Sequence, residues 1–447
     1  GQVAGVNISQ SSSRAGDGFK IQIRGKSSLN EAEPLYVIDG VVCDNMDFLN
    51  PMDIEKVDVL KDASSTAIYG SRATNGVVMI TTKKGASDES KATVSYDGYY
   101  GVKTVANMPD FMDGDSFLNW RFWRYLESSM DANTGQTTWN MTDANYENFW
   151  GGGSPVIKSM YQNKNYTDWT DLVTRTGAQQ NHFVNITGNA KNISYRVGLG
   201  YQDEKGVLYD GYNRWNLKGA VDHKISDKVS AGFSTNMATS LKESGSNYSV
   251  LSGFRMTPTM PAFYWEGDNI GQPIRQPGKD EAIYPNGGGP TSNINPLVDR
   301  ENSKDNTRAY DIMANLYLQY SPIKELILKT TFSPMYSKTE RGTFYNGDTQ
   351  YRSGKSNMAE KYNDGVFSYT WDTQANYIKT FGDHSINVLA LFSVYDQRKE
   401  GDYMGVVDMP FDVDWHNLGS GTVQNQSSYY EPVSYTHLRA HETLSDL

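Results

Sequence analysis

Few residues in this sequence stand in arrangements that carry out covalent chemistry. Gly25, Lys26 and Ser27 resemble the end of a phosphate-binding loop, but Lys20 occupies the position where that loop needs glycine, so nucleotide binding fails. His437 and His441 have i,i+4 spacing, yet Glu442 follows them instead of standing between them as in a zinc protease helix. Asp143 with Glu147, and Asp280 with Glu281, offer paired carboxylates. Glycosidase chemistry depends on their separation in space, and solvated loop charge is the commoner reading. Cys43 has no histidine near it in sequence and reads as a small inert residue. No catalytic residue, metal ligand or cofactor is assigned, and the chain is not expected to be an enzyme. The residues suited to binding are aromatic. Trp139, Trp150, Tyr264, Trp265 and Tyr284 stand among Gly, Asn and Pro. Their ring faces could stack on sugars or bury peptide side chains, although loop-on-loop packing is the commoner fate of any one.

Composition narrows the class. The chain has 447 residues, with 41 Lys plus Arg against 52 Asp plus Glu, giving a net charge of −11 that argues against a nucleic-acid partner. A single cysteine excludes a disulfide framework. No apolar run reaches the roughly 20 residues of a membrane-spanning helix; the best, Ile386 to Val394, is broken by Asn387 and Ser393. A β-barrel remains open, because alternation keeps mean hydropathy low, and 30 Tyr, 16 Phe and 9 Trp are a heavy aromatic load.

Two textures follow one another along the chain. Residues 1–85 contain short strands at Phe19–Arg24, Pro34–Val42, Ile54–Leu60 and Val77–Thr82. A short helix at Ala63–Tyr69 is expected between Asp62 as N-cap and Gly70 as terminator. This reads as a small α+β domain. From Lys91 onward, period-two segments recur. In Ser194–Gln202, Tyr195, Val197, Leu199 and Tyr201 share one face, while Ser194, Arg196, Gly198, Gly200 and Gln202 share the other. Residues 309–321 and 367–380 repeat the pattern. Strands are expected near 91–105, 178–189, 193–205, 211–225, 229–241, 308–321, 325–340, 366–381 and 385–397. Short turns at 189–192, 226–228, 321–324 and 382–384 alternate with long connections at 106–177, 242–307, 341–365 and after 398, with one modest exception at 206–210. That asymmetry belongs to outer-membrane barrels and has no cause in a β-sandwich, which stays the alternative because alternation alone also fits it. Within the first long connection, Asp115–Met130 is expected to be helical, with Phe117, Trp120, Trp123 and Leu126 as its packed face.

The segments Ile23–Leu29 (IRGKSSL), Leu35–Val41 (LYVIDGV) and Asn50–Gly85 closely resemble the plug of SusC/RagA-type TonB-linked outer-membrane transporters. The resemblance implies a plug inside a large barrel, energised from the inner membrane through TonB, with a SusD-like surface lipoprotein as lid. Its plug-motif positions here, structural or gating, are Arg24, Gly25, Asp39, Gly40, Lys61, Asp62, Tyr69, Gly70, Arg72 and Gly76. The expected fold is therefore mainly β. A truncated α+β plug occupies 1–85, and the first part of a transmembrane antiparallel barrel occupies 91–432, with about nine strands of the roughly 22-stranded type. Residues 433–447 fit no alternation and read as a non-native tail, so the chain is expected to be an internal fragment.

A removable plug needs polar contacts. Arg24, Lys26, Arg72, Lys83 and Lys84 are expected to face Asp97, Asp311 or Asp372 across water, as exposed pairs contributing about 0–1 kcal/mol each. The expected function is TonB-dependent import of a large nutrient across the outer membrane of a Gram-negative, Bacteroidetes-type bacterium. Glycan is favoured over peptide as cargo, with substrate contacts at Trp139, Trp150, Tyr264 and Trp265. The alternatives are a secreted β-rich glycan-binding module or glycoside hydrolase, and a siderophore receptor.

Overall fold

The computed structural model describes residues 6–10, 12, 14–23, 33–61, 73–85, 90–136, 154–265, 267–277, 279–281, 283, 293–381, 384–409, 412 and 414–446. Among the plug motifs, Arg24, Gly25, Asp62, Tyr69, Gly70 and Arg72 lie outside these residues, as do Trp139, Trp150 and Tyr284. The side chains of His437 and His441 lie outside them too.

The amino-terminal unit begins with an antiparallel pair, β1 (Val6–Gln10) and β2 (Phe19–Ile23). A four-stranded sheet follows, built from β3 (Leu35–Ile38), β4 (Val41–Cys43), β5 (Ile54–Leu60) and β6 (Val77–Thr82) in the order β4-β3-β6-β5. Strand β3 runs parallel to β6 and antiparallel to β4. The two central strands are covered on both faces, which explains their unbroken Val/Ile runs. Asp39 and Gly40 join β3 to β4 with φ of 49° and 87°. Positive φ at both central residues makes the two-residue hairpin whose twist matches its strands, and Asp-Gly is a favoured sequence for it. One face of the sheet packs Tyr36, Ile38, Val78 and Ile80 on Ile21, Ile23, Phe48 and Leu49. The other buries Val37, Val42 and Val77 near Tyr395.

Ten long strands form the second sheet. They are β7 (Ser90–Lys103), β8 (Gly177–Ala190), β9 (Ile193–Lys205), β10 (Gly211–Lys224), β11 (Val229–Glu243), β12 (Ser303–Ile323), β13 (Leu326–Tyr345), β14 (Met358–Phe381), β15 (His384–Val407) and β16 (Thr422–Asp446). Each pairs antiparallel with its neighbours in sequence, and β7 and β16 are the two edges. The sequence pointed to nine strands. The tenth, β16, differs from expectation because everything after 398 reads as a long connection and 433–446 carry no alternation, yet the backbone from Thr422 to Asp446 pairs along β15. Strands β14 and β15 also run further than expected, leaving 346–357 and 408–421 as the outer connections.

The polarity of this sheet is inverted. Val197 and Leu199 on β9 are 48 % and 49 % exposed, and Trp215, Leu217, Ile312, Leu316, Leu318 and Trp371 are exposed likewise. On the opposite face Asn185, Arg196, Asn216, Lys218, Asn236, Ser368 and Thr370 are buried. A two-layer sandwich hides its apolar face and wets its polar one; this wall does the reverse, as a strand between lipid and a polar lumen must. The plug lies on the polar face. Met313 and Ala238 of the wall join the plug core, and the wall backbone approaches closely enough at Gly200 that a Cβ there would sit 2.5 Å from Asn50 Nδ2.

The two longest connections fold on each other. The first holds α1 (Gly114–Ser128), α2 (Pro155–Asn163) and α3 (Trp169–Val173); the second holds α4 (Asn247–Arg255) and α5 (Pro296–Glu301). Ser154 caps α2 by accepting from Ile157 N, and Asp168 caps α3 by accepting from Thr170 N and Asp171 N. Leu118, Ile157, Trp169, Met260, Ile274 and Leu297 form their common core. On α1 the packed side differs from expectation. Leu118 and Phe122 are buried, whereas Trp120 and Trp123 are exposed. Leu118 shares a core with Ile157 of α2 and Trp169 of α3, and Phe117 packs against it as expected, but aromatic spacing does not reveal that Trp120 and Trp123 have no such neighbours in that core.

Candidate functional site

The functional geometry lies where the plug meets the wall. The Asp39–Gly40 turn brings the Asp39 carboxylate back over the end of β6. There Thr82 N donates to Asp39 Oδ1 at 2.8 Å and Thr82 Oγ1 donates to Oδ2 at 2.5 Å. Lys218, 2 % exposed on β10, donates to Thr82 Oγ1 at 2.5 Å and stands 3.7 Å from Asp39 Oδ2. Asn315 of β12 donates to the Asp39 carbonyl at 3.2 Å. The plug's tightest turn is thus gripped from two wall strands. A cavity of about 330 Å³ adjoins it, lined by Asp39, Thr82, Lys84, Asp222, Tyr317 and Asp372 among others.

A second buried pair lies alongside. Arg196 Nη2 of β9 donates to Asp53 Oδ1 at 2.9 Å, with both side chains almost wholly buried. Burial pushes the Asp53 carboxyl above its ordinary value, and the Arg196 guanidinium pulls it back. Further out, Asn216 donates to the Phe48 carbonyl at 2.6 Å, and Arg214 donates to the Asp47 carbonyl. Lys399 of β15 reaches Asp44 at 3.0 Å, and Lys242 of β11 pairs with Asp17. Partial burial raises the Asp17 carboxyl, but the bonds from Lys242 and Ser12 outweigh it and leave it below its ordinary value.

Arg24, Lys26 and Arg72 lie outside the described residues, and the described pairs run opposite to the expectation for Lys83 and Lys84. In the pairs above the wall supplies the cations and the plug the carboxylates and carbonyls, while at the outer rim Arg14 of the plug donates to the Ser244 carbonyl and Ala15 N to the Asp210 carboxylate. Among the described residues, no ion pair joins Lys83 or Lys84 to Asp97, Asp311 or Asp372; Asp311 instead accepts from Ser337 within the wall at 2.6 Å. Nor are the inner pairs exposed. Sequence alternation tells which face Arg196 and Lys218 occupy, but not that the partners some 140 to 180 residues earlier lie across from them.

Other candidate residues fall elsewhere. Gly76, with φ of 91°, precedes β6 and accepts from Leu35 N at 3.0 Å through its carbonyl. Lys61 follows β5 directly. Cys43 is buried, and burial drives its thiol upward, which leaves it unreactive. Tyr264 packs against the loop core and donates to Asp280. Burial first, then that bond, raises its hydroxyl to about 12. Trp265 beside it is exposed. The structure does not bring Tyr264 and Trp265 to the plug contacts.

Residues 1–77 match the TonB-dependent Receptor Plug Domain model. Across 77 % of the chain, 356 residues are 30 % identical to TonB-dependent receptor P26 of Formosa agariphila, covering 32 % of that relative. Across 87 % of the chain, 423 residues are 28 % identical to TonB-dependent receptor SusC of Bacteroides thetaiotaomicron, covering 38 % of it. The chain is homologous to TonB-dependent receptors. It spans about a third of the length of these curated relatives. It shares its fold with the RagAB peptide importer in the closed-closed state. The TM-score is 0.75 at 21 % identity, over 100 % of this chain and 51 % of that one. The ferric citrate transporter FecA superposes with a TM-score of 0.53 at 10 % identity, over 98 % of this chain and 50 % of that one. These relatives are named as receptors and transporters rather than enzymes.

Proposed function

We propose that this chain forms the plug and one arc of the wall of an outer-membrane importer. Cargo collects above the plug, and a pull transmitted through TonB moves the plug off the wall cations to open a path. The observation that carries this reading is the inverted wall, greasy outside and polar inside, with the plug held on its polar face by Lys218 and Arg196. Such contacts exchange readily for water once parted, which a dry apolar interface does not. A SusD-like lipoprotein is the proposed lid, on the likeness to SusC, and a Gram-negative outer membrane the proposed location. Oligosaccharide is the favoured cargo, supported by the Tyr362–Tyr403 ring pair, 4.5 Å apart, on the polar side of the wall; peptide and ferric siderophore are the competing classes.

The test is growth of the native host with the gene deleted. Loss of growth on a polysaccharide as sole carbon source, restored by the gene and dependent on TonB, is expected. Normal growth on polysaccharides with loss of growth on a ferric siderophore would replace the cargo class. A water-soluble product would overturn the importer itself.

A further inference from the structure

The plug's outer rim is held by a short turn of the wall, residues 206–210 between β9 and β10. Asp210, 1 % exposed, closes that turn. Gly206 N donates to its carbonyl at 2.9 Å, and Leu208 N donates to its Oδ1 at 3.2 Å. Its Oδ2 accepts from Ala15 N of the plug, and Ala15 is wholly buried. Beside Ala15, Arg14 reaches the Ser244 carbonyl and Asp17 pairs with Lys242.

The two longest connections hold the same turn from the other side. Arg175, at the end of the first, donates from its backbone N to the Val207 carbonyl at 2.8 Å. Its Nε donates to the Gly206 carbonyl and its Nη2 to the Asp210 carbonyl, both at 2.9 Å. The Arg175 guanidinium also lies over the Tyr209 ring, 4.9 Å from the centroid. Arg300, on α5 of the second connection, lies over that ring at 4.0 Å and donates from Nη1 to the Leu172 carbonyl of α3 at 3.2 Å. Tyr209 stands at φ of 61°, a left-handed conformation that a tyrosine keeps where its contacts over-determine it.

We propose that Tyr209 and Asp210 are positioning residues that couple the two long connections to the plug. The inference rests on the importer reading and adds a route from the outer surface to the plug. One backbone step joins the ring under Arg175 and Arg300 to the carboxylate that holds Ala15. A shift of α5 therefore moves Arg300 against the ring, turns the 206–210 backbone and loosens the bond to the plug. Coupling of this kind travels through chains of packed and hydrogen-bonded groups, and each step here is a named contact. The rim can part in this way while the Arg196–Asp53 pair deeper in keeps the plug seated.

The test is hydrogen exchange on the full-length receptor in detergent, read at plug residues 14–18 and 77–82. The described hydrogen bond and ring contact of Arg300 go to Leu172 and Tyr209, none to the plug. Arg300→Ala should nevertheless speed exchange at 14–18 about threefold, and Tyr209→Gly about tenfold, with 77–82 unchanged. Glycine removes the ring and keeps the left-handed backbone. Tyr209→Phe retains the ring face and should exchange as the parent does. The double variant should exchange no faster than Tyr209→Gly alone, because both substitutions break one chain. Heat-modifiable migration on gels verifies that each variant has folded. An Arg300 that serves loop packing alone would change exchange in α3 and α5 and leave 14–18 at the parent rate. That result overturns the coupling, as does additivity in the double variant, and either leaves the inverted wall and the importer reading intact.

Discussion

Asp53 and Arg196 illustrate how a charge pair can hold a movable part. Removing one member of a buried pair costs roughly 3–5 kcal/mol, whereas replacing both with neutral groups of similar size costs far less. Arg196→Met should therefore lower hydrogen-exchange protection of β5 and β6 strongly, and Arg196→Met with Asp53→Asn should restore most of it. An unchanged protection in the single variant would show the pair to be idle. The pH response has a defined sign. Burial raises Asp53 above 3.8 in the docked plug, so its contribution to docking is full below that value and fades as pH rises through the raised value. Without Arg196 the docked value climbs further, so protection in Arg196→Met should fall more than in the parent as pH rises. Gly40 makes a separate point. At φ of 87° a side chain is strained, and Gly40→Ala should cost about 1–2 kcal/mol in plug stability by denaturant titration, although nothing lies within 4 Å of a Cβ there. Asp39 and Gly40 are turn-forming residue types, yet the apolar run Pro34–Val42 reads as one strand, which their turn divides into β3 and β4. The grip of Lys218 on that turn is not readable in sequence, because no local pattern reports a partner across a lumen.

At the scale of the strand, one step along β10 changes the solvent a side chain meets. Leu217 is exposed on the outer face and Lys218 is buried on the inner. Leu217→Arg should destabilise refolding into lipid by about 2–4 kcal/mol. Lys218→Met should leave that equilibrium nearly unchanged and instead loosen the plug, seen as faster exchange at Thr82. Equal effects of the two on refolding into lipid would contradict the assignment of faces. Alternation made β9, β12 and β14 readable in sequence, since their outer residues keep period two for many positions. β16 was invisible for lack of that signal, and the exposed Trp120 and Trp123 of α1 show that spacing alone does not say which face has neighbours.

At the scale of the whole molecule, the plug and its wall form one assembly with two open edges, β7 and β16. Unpaired strand edges template further pairing, so residues 1–447 expressed alone should aggregate; a monodisperse, heat-modifiable species in detergent would contradict this. The most direct test of the inverted wall is nitroxide scanning of residues 195–202 in the full-length receptor in bilayers. Cys43 is buried with its thiol raised, so it should take little label. Labels at 195, 197, 199 and 201 should be relaxed by lipid-dissolved oxygen, and labels at 196, 198, 200 and 202 should be shielded and immobilised by the plug. Accessibility without a period of two, or with the even positions in lipid, would contradict the account.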